Sequence, residues 1–186
     1  MKLLQILLAT SFVVSSAAAV AKPDELDLIG LRMGQSEAAD VERIGKPVYP
    51  SIPSSNFWYL TIGGHEMPCS VTYIDGKLSQ VLCMTGEGSG GKRRTTASNE
   101  QVHTDLKSGY SQKFGKPEVD DFEEVRTRMG VKYTKNSVSW MDAKGNTLYI
   151  TNLSSMVSSG GLHFTSAEKI KLDKEEKAKK DAAKQF

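Results

Sequence analysis

The chain has 186 residues, of which 25% are charged, and its 24 basic and 22 acidic side chains leave a formal net charge of +2. Such a balance argues against a nucleic-acid-binding protein, which needs a concentrated basic face. The length allows a sizeable buried core, and no apolar run approaches the roughly 20 residues of a transmembrane helix.

The first 21 residues have the features of a secretory signal peptide. Lys2 is a short positive start, residues 3–14 are mostly apolar, and Ala19-Val20-Ala21 forms an A-x-A cleavage site. We predict cleavage after Ala21 and a soluble, periplasmic or secreted mature chain with a net charge of +1, since Lys2 is removed. The first cysteine is Cys69, so no new N-terminal cysteine is available for a lipid.

A Gly-Lys-Pro tripeptide occurs at residues 45–47 and again at residues 115–117. Each copy follows a helix-like run and is predicted to mark the end of that helix, because glycine commonly ends a helix and proline cannot continue it. The sequence VTYID at residues 71–75 is similarly echoed by VSWMD at residues 138–142. Recurrence in a fixed order predicts a duplicated structural unit.

The predicted fold class is α+β, with two tandem repeats of a helix followed by an antiparallel sheet. Repeat unit 1 spans residues 22–85 and repeat unit 2 spans residues 99–166. Residues 86–98 combine four glycines with Lys-Arg-Arg and are predicted to be a flexible, basic linker. Each unit of about 65 residues would be marginal alone, so the units should pack together.

In the first unit we expect a short strand at residues 29–33, followed by a helix with Ser36 as its N-cap. A loop over residues 48–55 leads to a strand at 56–62. In the second unit a helix buries Val102, Leu106, Tyr110 and Phe114. Residues 120–130 are ambiguous between helix and strand, and the further strands are predicted at residues 131–133, 137–142, 147–153 and 162–166.

The tail at residues 167–186 is rich in lysine and acidic residues, many of them at helical i, i+3 or i, i+4 spacing. It has too few apolar residues for a core-facing stripe, so we predict a solvated, partly helical segment. The alternative is a weak electrostatic contact between its lysines and an anionic envelope surface.

Cys69 and Cys83 flank Asp75-Gly76, a strong β-hairpin signal, and two cysteines in an exported chain favour a disulfide. A plain two-residue turn would place Cys69 opposite Leu82. Placing Cys69 opposite Cys83, and Val71 opposite Val81, therefore requires a three-residue turn or a β-bulge. The alternative is two buried free thiols.

Residues 86–92 match the first part of a phosphate-binding loop, G-x4-G-K, but Arg93 occupies the position of the magnesium-binding Ser or Thr. We interpret this stretch as part of the linker. Residues 65–69 (HEMPC) contain several potential ligands of a soft metal, yet their spacing matches no established metal site. There is no G-x-S-x-G, C-x-x-C or H-E-x-x-H motif, so catalysis has no support in the sequence.

Three consecutive aromatic residues, Phe57, Trp58 and Tyr59, lie in a predicted strand and must point to both faces of a sheet. A helix can cover only one of these faces. For Tyr73 and its counterpart Trp140, in the next predicted strand, it is likewise open whether the side chain lies on a covered or an open face. These five side chains are candidate partner-binding residues, because large aromatics on an open sheet face mark recognition surfaces. The alternative is burial on both faces, between the two units.

The string from Gly30 to Ser36 (GLRMGQS), continued by Ile44 and the first Gly-Lys-Pro, resembles the opening of small outer-membrane assembly proteins of the SmpA/OmlA (BamE) type. The tandem layout is also similar to the fold of β-lactamase-inhibitor proteins. The second copy lacks the Gly-x-Ser/Thr start, and the lipid-attachment cysteine is missing. The resemblance implies a protein-binding module without catalysis, cofactor or metal.

We therefore expect a non-catalytic periplasmic module that binds an envelope protein as an adaptor or an inhibitor. The alternative is a small periplasmic enzyme, or a small-ligand binder, whose site is assembled only in three dimensions.

Overall fold

A computed structural model describes residues 22–52, 55–126, 130, 132–154 and 159–184. They form three helices and one antiparallel sheet of eight strands, which confirms the predicted α+β class. The helices are α1 (Ala38–Ile44), α2 (Thr96–Phe114) and α3 (Ala167–Ala183). The strands are β1 (Lys46–Pro47), β2 (Phe57–Ile62), β3 (His65–Ile74), β4 (Lys77–Met84), β5 (Val119–Arg126), β6 (Lys132–Met141), β7 (Thr147–Ser154) and β8 (Ser159–Thr165).

The strand order is β1-β2-β3-β4-β8-β7-β6-β5, so each half of the chain contributes a four-stranded meander. The two meanders join where β4 pairs with β8, from Gln80 opposite Thr165 to Met84 opposite Gly161. One continuous ladder of hydrogen bonds thus runs through both predicted units. The two similar sequences, at residues 71–75 and 138–142, lie at the ends of β3 and β6. Strand β8 lies between the β3–β4 hairpin and the β6–β7 hairpin. Descent of the halves from one duplicated unit stays a prediction.

The β3–β4 hairpin has the predicted register, with Cys69 opposite Cys83 and Val71 opposite Val81. Its turn contains only Asp75 and Gly76, both with the positive φ angles that a tight hairpin turn favours. The register shifts at a β-bulge after Thr72, which supplies the extra residue that this pairing requires. The two sulfur atoms lie at disulfide-bonding distance, and the Cα atoms are 4.0 Å apart.

The core lies between one face of the sheet and a layer made of α1, α2 and the N-terminal segment. From this layer the N-terminal segment buries Leu26, Leu28, Leu31 and Met33, α1 buries Val41, and α2 buries Val102, Leu106 and Tyr110. The sheet contributes buried side chains from β2, β3, β4, β6, β7 and β8, with Trp140 and Phe164 the largest. The buried stripe predicted for α2 is thereby confirmed in three of its four residues, and Phe114 packs against the core while partly exposed.

The N-terminal segment is attached to the second meander by Asp142. This buried carboxylate accepts hydrogen bonds from the backbone N–H of Leu26 (3.1 Å) and from the backbone N–H groups of Lys144 and Asn146 (both 2.9 Å). The short strand predicted at residues 29–33 is not formed, because the chain turns at Ile29 and Gly30, where φ is positive. Leu28 and Leu31 instead bond to each other across that turn.

The N-terminus of α1 differs by one residue from the prediction. Glu37 is the N-cap of α1 and forms a reciprocal capping box with Asp40. The predicted cap, Ser36, instead accepts a hydrogen bond from the backbone N–H of Arg32 (3.0 Å), so its hydroxyl caps the preceding turn. Helix α2 begins at Thr96, and its N-cap Thr95 accepts from the backbone N–H of Ser98.

The segment predicted as a linker forms a hydrogen-bonded turn followed by the start of α2. The Arg94 guanidinium donates to the carbonyl oxygens of Thr85 (2.6 Å), Glu66 (2.7 Å) and Glu87. Residues 120–130, left open between helix and strand, are strand as far as Arg126. Helix α3, in the charged tail, has no buried residue. In the described part of the chain, no helix is both long and apolar enough to cross a membrane.

Candidate functional site

The pairing register distinguishes the two faces of the sheet. Paired residues of an antiparallel sheet point to the same side, and successive residues of a strand point to opposite sides. Leu60 and its partner Met67 are both buried against the helical layer. Their neighbours Tyr59 and Pro68 therefore point to the other side, which we call the open face.

The open face is nearly free of charge across six adjacent strands. Its side chains are Phe57, Tyr59 and Thr61 of β2; Glu66, Pro68, Ser70 and Thr72 of β3; Gln80, Leu82 and Met84 of β4; Ser159, Gly161, His163 and Thr165 of β8; Thr147, Tyr149, Thr151 and Leu153 of β7; and Tyr133, Lys135, Ser137, Ser139 and Met141 of β6. Among them only Glu66 and Lys135 carry a formal charge, and Glu66 forms an ion pair with Lys46 (3.3 Å). The edge strands β1 and β5 add Lys46, Asp121 and Glu123 to the same side of the sheet. In a chain that is 25% charged, the six central strands of this face are depleted of charge.

An apolar groove of about 230 Å³ lies on the open face. Phe57, Pro68, Leu82 and Met84 form its apolar lining. Phe57 and Met84 are 48% and 54% exposed, although both are large and hydrophobic. These four residues define what we call the apolar groove.

On the β8 side of the groove, the position of the His163 ring depends on a neighbouring glycine. A Cβ atom added at Gly161 would lie 2.9 Å from Nε2 of His163, so a larger residue would push the imidazole away. The His163 ring also contacts Tyr149 edge to face, with 5.7 Å between ring centroids. The hydroxyl of Tyr149 lies 3.0 Å from that of Ser137. The uncharged surface therefore continues from the groove across β8 and β7 to β6.

The structure divides the five aromatic residues that were predicted to contact a partner. Phe57 and Tyr59 lie on the open face. Trp58 and Tyr73 are partly buried and pack against the core on the covered side. Trp140 is only 1% exposed and donates its indole N–H to the carbonyl oxygen of Gly115 (2.9 Å), so it belongs to the core and is not available to a partner. Partner contact by Phe57 and Tyr59 stays a prediction.

Leu82, Met84 and His163 lie at the candidate site but were not predicted there. The alternation in β4 that turns Leu82 and Met84 outward could have been read from the sequence once Cys69 was placed opposite Cys83. The position of His163 could not have been predicted in this way, because this residue reaches the site only through the pairing of β4 with β8.

The residues considered for metal binding do not form a cluster. His65 lies 2.9 Å from Asp105 of α2 through Nε2, while Cys69 is paired with Cys83. Within the described ranges, no group of three or more His, Cys, Asp or Glu side chains is arranged to hold a metal ion.

Comparison of the chain with models of known protein families, with curated proteins and with solved structures finds no match in any of the three. The resemblance to the SmpA/OmlA type and to β-lactamase-inhibitor proteins therefore stays a proposal.

His103, a buried titratable residue of α2, should make stability depend on pH. Burial, helped by the nearby positive charge of Lys107, lowers the pKa of His103 below its ordinary 6.5. The unfolded chain then binds more protons than the folded chain once the pH falls below about 6.5, so protonation favours unfolding. The melting temperature should therefore fall between about pH 7 and pH 5, where ordinary carboxylates are still ionised.

The measurement is thermal denaturation of the wild type and of His103→Gln across that range. The variant should show the shallower dependence on pH, because it lacks His103 and keeps His163, the other histidine whose pKa burial lowers. Identical slopes for the two proteins would contradict the assignment to His103.

Proposed function

We propose that this protein is a non-catalytic, protein-binding module of the bacterial-type cell envelope, and that the open face is its binding surface. The observation that carries the proposal is the scarcity of charge on the six central strands of this face. The centres of protein interfaces are depleted of charged side chains and enriched in aromatic residues and methionine. The apolar groove has this composition, with Phe57 and Met84 exposed at its rim.

Export is the second part of the proposal. It is supported by the signal-peptide features of residues 1–21 and by the Cys69–Cys83 pair, since disulfides persist mainly in oxidising compartments. The likeness of the first Gly-Lys-Pro region to the SmpA/OmlA type supports an adaptor among envelope proteins. The tandem layout, similar to that of β-lactamase-inhibitor proteins, supports an inhibitor of an envelope enzyme. Both roles use the same uncharged surface.

The test is affinity capture from an envelope extract with tagged residues 22–186, in three versions. The first is the wild type, and the second carries Phe57→Ala and Met84→Ala, which remove two exposed side chains of the groove. The third carries Phe122→Ala, a matched loss of an exposed aromatic on the covered side of the sheet. All three should fold, because the removed side chains are about half exposed or more, and thermal unfolding checks this.

The expected result is a protein that the wild type and Phe122→Ala retain and the double variant loses, with at least about tenfold weaker binding. Because the apolar groove is lined by uncharged residues, the affinity should also change little with salt. A partner retained equally by all three versions, or one released by moderate salt, would overturn the placement of binding on the open face.

A further inference from the structure

A second, polar groove lies on the other side of the sheet, between α2 and the outer strands. Its volume is about 470 Å³, within the range of roughly 300–1,000 Å³ typical of small-molecule sites. It is lined by His103, Thr104, Lys107, Ser108, Ser111 and Asn136. The five residues of α2 recur at helical spacing and so share one side of that helix, beside its buried stripe. Asn136 faces them from β6.

The groove contains charged groups but no net charge. Lys107 donates to a carboxylate oxygen of Asp120 on β5 at 2.6 Å, so its ammonium is already neutralised. Burial lowers the pKa of His103 and keeps its imidazole neutral near pH 7. The remaining lining groups are hydroxyls and an amide, which exchange hydrogen bonds with neutral polar ligands.

One hydrogen-bonding group of a lining residue is unsatisfied. His103 is only 7% exposed, and its Nε2 has no hydrogen-bond partner among the described residues. A buried polar atom left without a partner costs about 1–3 kcal/mol. This nitrogen is shielded from solvent, so a ligand hydroxyl reaches it only once the side chains over it move, and the hydrogen bond then formed would recover part of that cost.

An exposed aromatic ring stands beside these polar groups. Phe122 of β5 is directly opposite Asn136 of β6, so the two side chains point to the same side of the sheet. Phe122 is 66% exposed, the largest exposed fraction among the large hydrophobic side chains of the described residues. Its position is on the edge strand, otherwise occupied mainly by acidic residues that discourage strand-to-strand association. Core packing therefore does not account for a phenylalanine here.

We propose that this groove binds a neutral saccharide. The apolar C–H face of the sugar ring packs on Phe122, while its hydroxyls bond to the amide of Asn136, to Ser108 and to the imidazole of His103. A phosphate or a carboxylate fits poorly, because it would have to displace Asp120 from Lys107 to gain a cation. This site is separate from the open face, so its occupation is independent of the proposed protein partner.

The test is nuclear magnetic resonance titration of ¹⁵N-labelled residues 22–186 with three neutral probes: glucose, maltotriose and the β-1,4-linked trimer of N-acetylglucosamine. Acetate and inorganic phosphate are the charged comparison probes. At least one neutral saccharide is expected to shift the backbone amides of Ser108, Phe122 and Asn136 in a saturable way. Phe122→Ala and Asn136→Ala should each weaken its binding by about tenfold, or about 1.4 kcal/mol.

Phe57→Ala is the matched control, since it removes an exposed phenylalanine from the opposite face and should leave the saccharide affinity unchanged. Folding of each variant is checked from the dispersion of its own spectrum. The proposal is overturned if no neutral probe shifts these amides, if acetate or phosphate binds there more tightly, or if Phe57→Ala weakens binding as much as Phe122→Ala does.

Discussion

Replacement of Trp140 by alanine is expected to lower the free energy of unfolding by about 4 kcal/mol, near the upper end of single-residue effects. The side chain is the largest in the core and is almost completely buried. Its ring lies 6.1 Å from that of Tyr110, and its indole N–H satisfies the carbonyl of Gly115, at the end of α2. The variant therefore leaves a cavity and also an unpaired carbonyl group. Urea denaturation followed by circular dichroism measures the loss.

Trp140→Phe separates these two contributions. Phenylalanine retains much of the apolar contact but cannot donate to Gly115, so the expected cost is about 1–3 kcal/mol. A loss below about 1 kcal/mol for Trp140→Ala would be incompatible with the burial of the indole, and would return this residue to the candidates for partner contact.

Replacement of both Cys69 and Cys83 by alanine is expected to lower the free energy of unfolding by about 3 kcal/mol. Cross-linking residues 14 positions apart restricts the unfolded chain, and a loop of this size corresponds to roughly that amount. Equilibrium unfolding in urea measures the difference between the wild type and the double variant.

A reductant provides the control for this prediction. It should destabilise the wild type to nearly the level of the double variant, while it leaves the double variant itself unchanged. Alkylation followed by intact mass measurement reports the state of the thiols directly. Two alkylated cysteines in protein isolated without reductant would contradict the bonded pair.

Local sequence signals predicted the hairpin well. Asp75-Gly76 specifies a tight turn, and the requirement that Cys69 face Cys83 predicted one extra residue, which the structure places in a β-bulge. These features depend on residues close together in the chain, where spacing and backbone preference are sufficient. The stripe of α2 was predictable for the same reason, because Val102, Leu106 and Tyr110 follow the helical period.

Features that depend on distant residues were beyond prediction from one sequence. Nothing local indicates that Asp142 bonds to Leu26, since the two lie 116 residues apart. The aromatic side chain of Trp140 looks the same in a sequence whether it faces solvent or the core, and only its position beneath α2 decides between them. The candidate site was likewise half predicted: Phe57 and Tyr59 are local to one strand, but His163 joins them through β8.

The place of β8 in the sheet has a consequence for how the chain folds. Without β8, the strands β4 and β7 would each have an unpaired edge, and β8 is the strand that bonds to both. The pair Gln80 and Thr165 is separated by 85 residues, so the closing contact is among the most non-local in the chain. Loop closure of this kind slows folding. Until residues 159–165 have been added to the sheet, the edges of β4 and β7 are exposed and prone to associate with other strands. A chain truncated before β8 would therefore be expected to aggregate, not to fold as a smaller module.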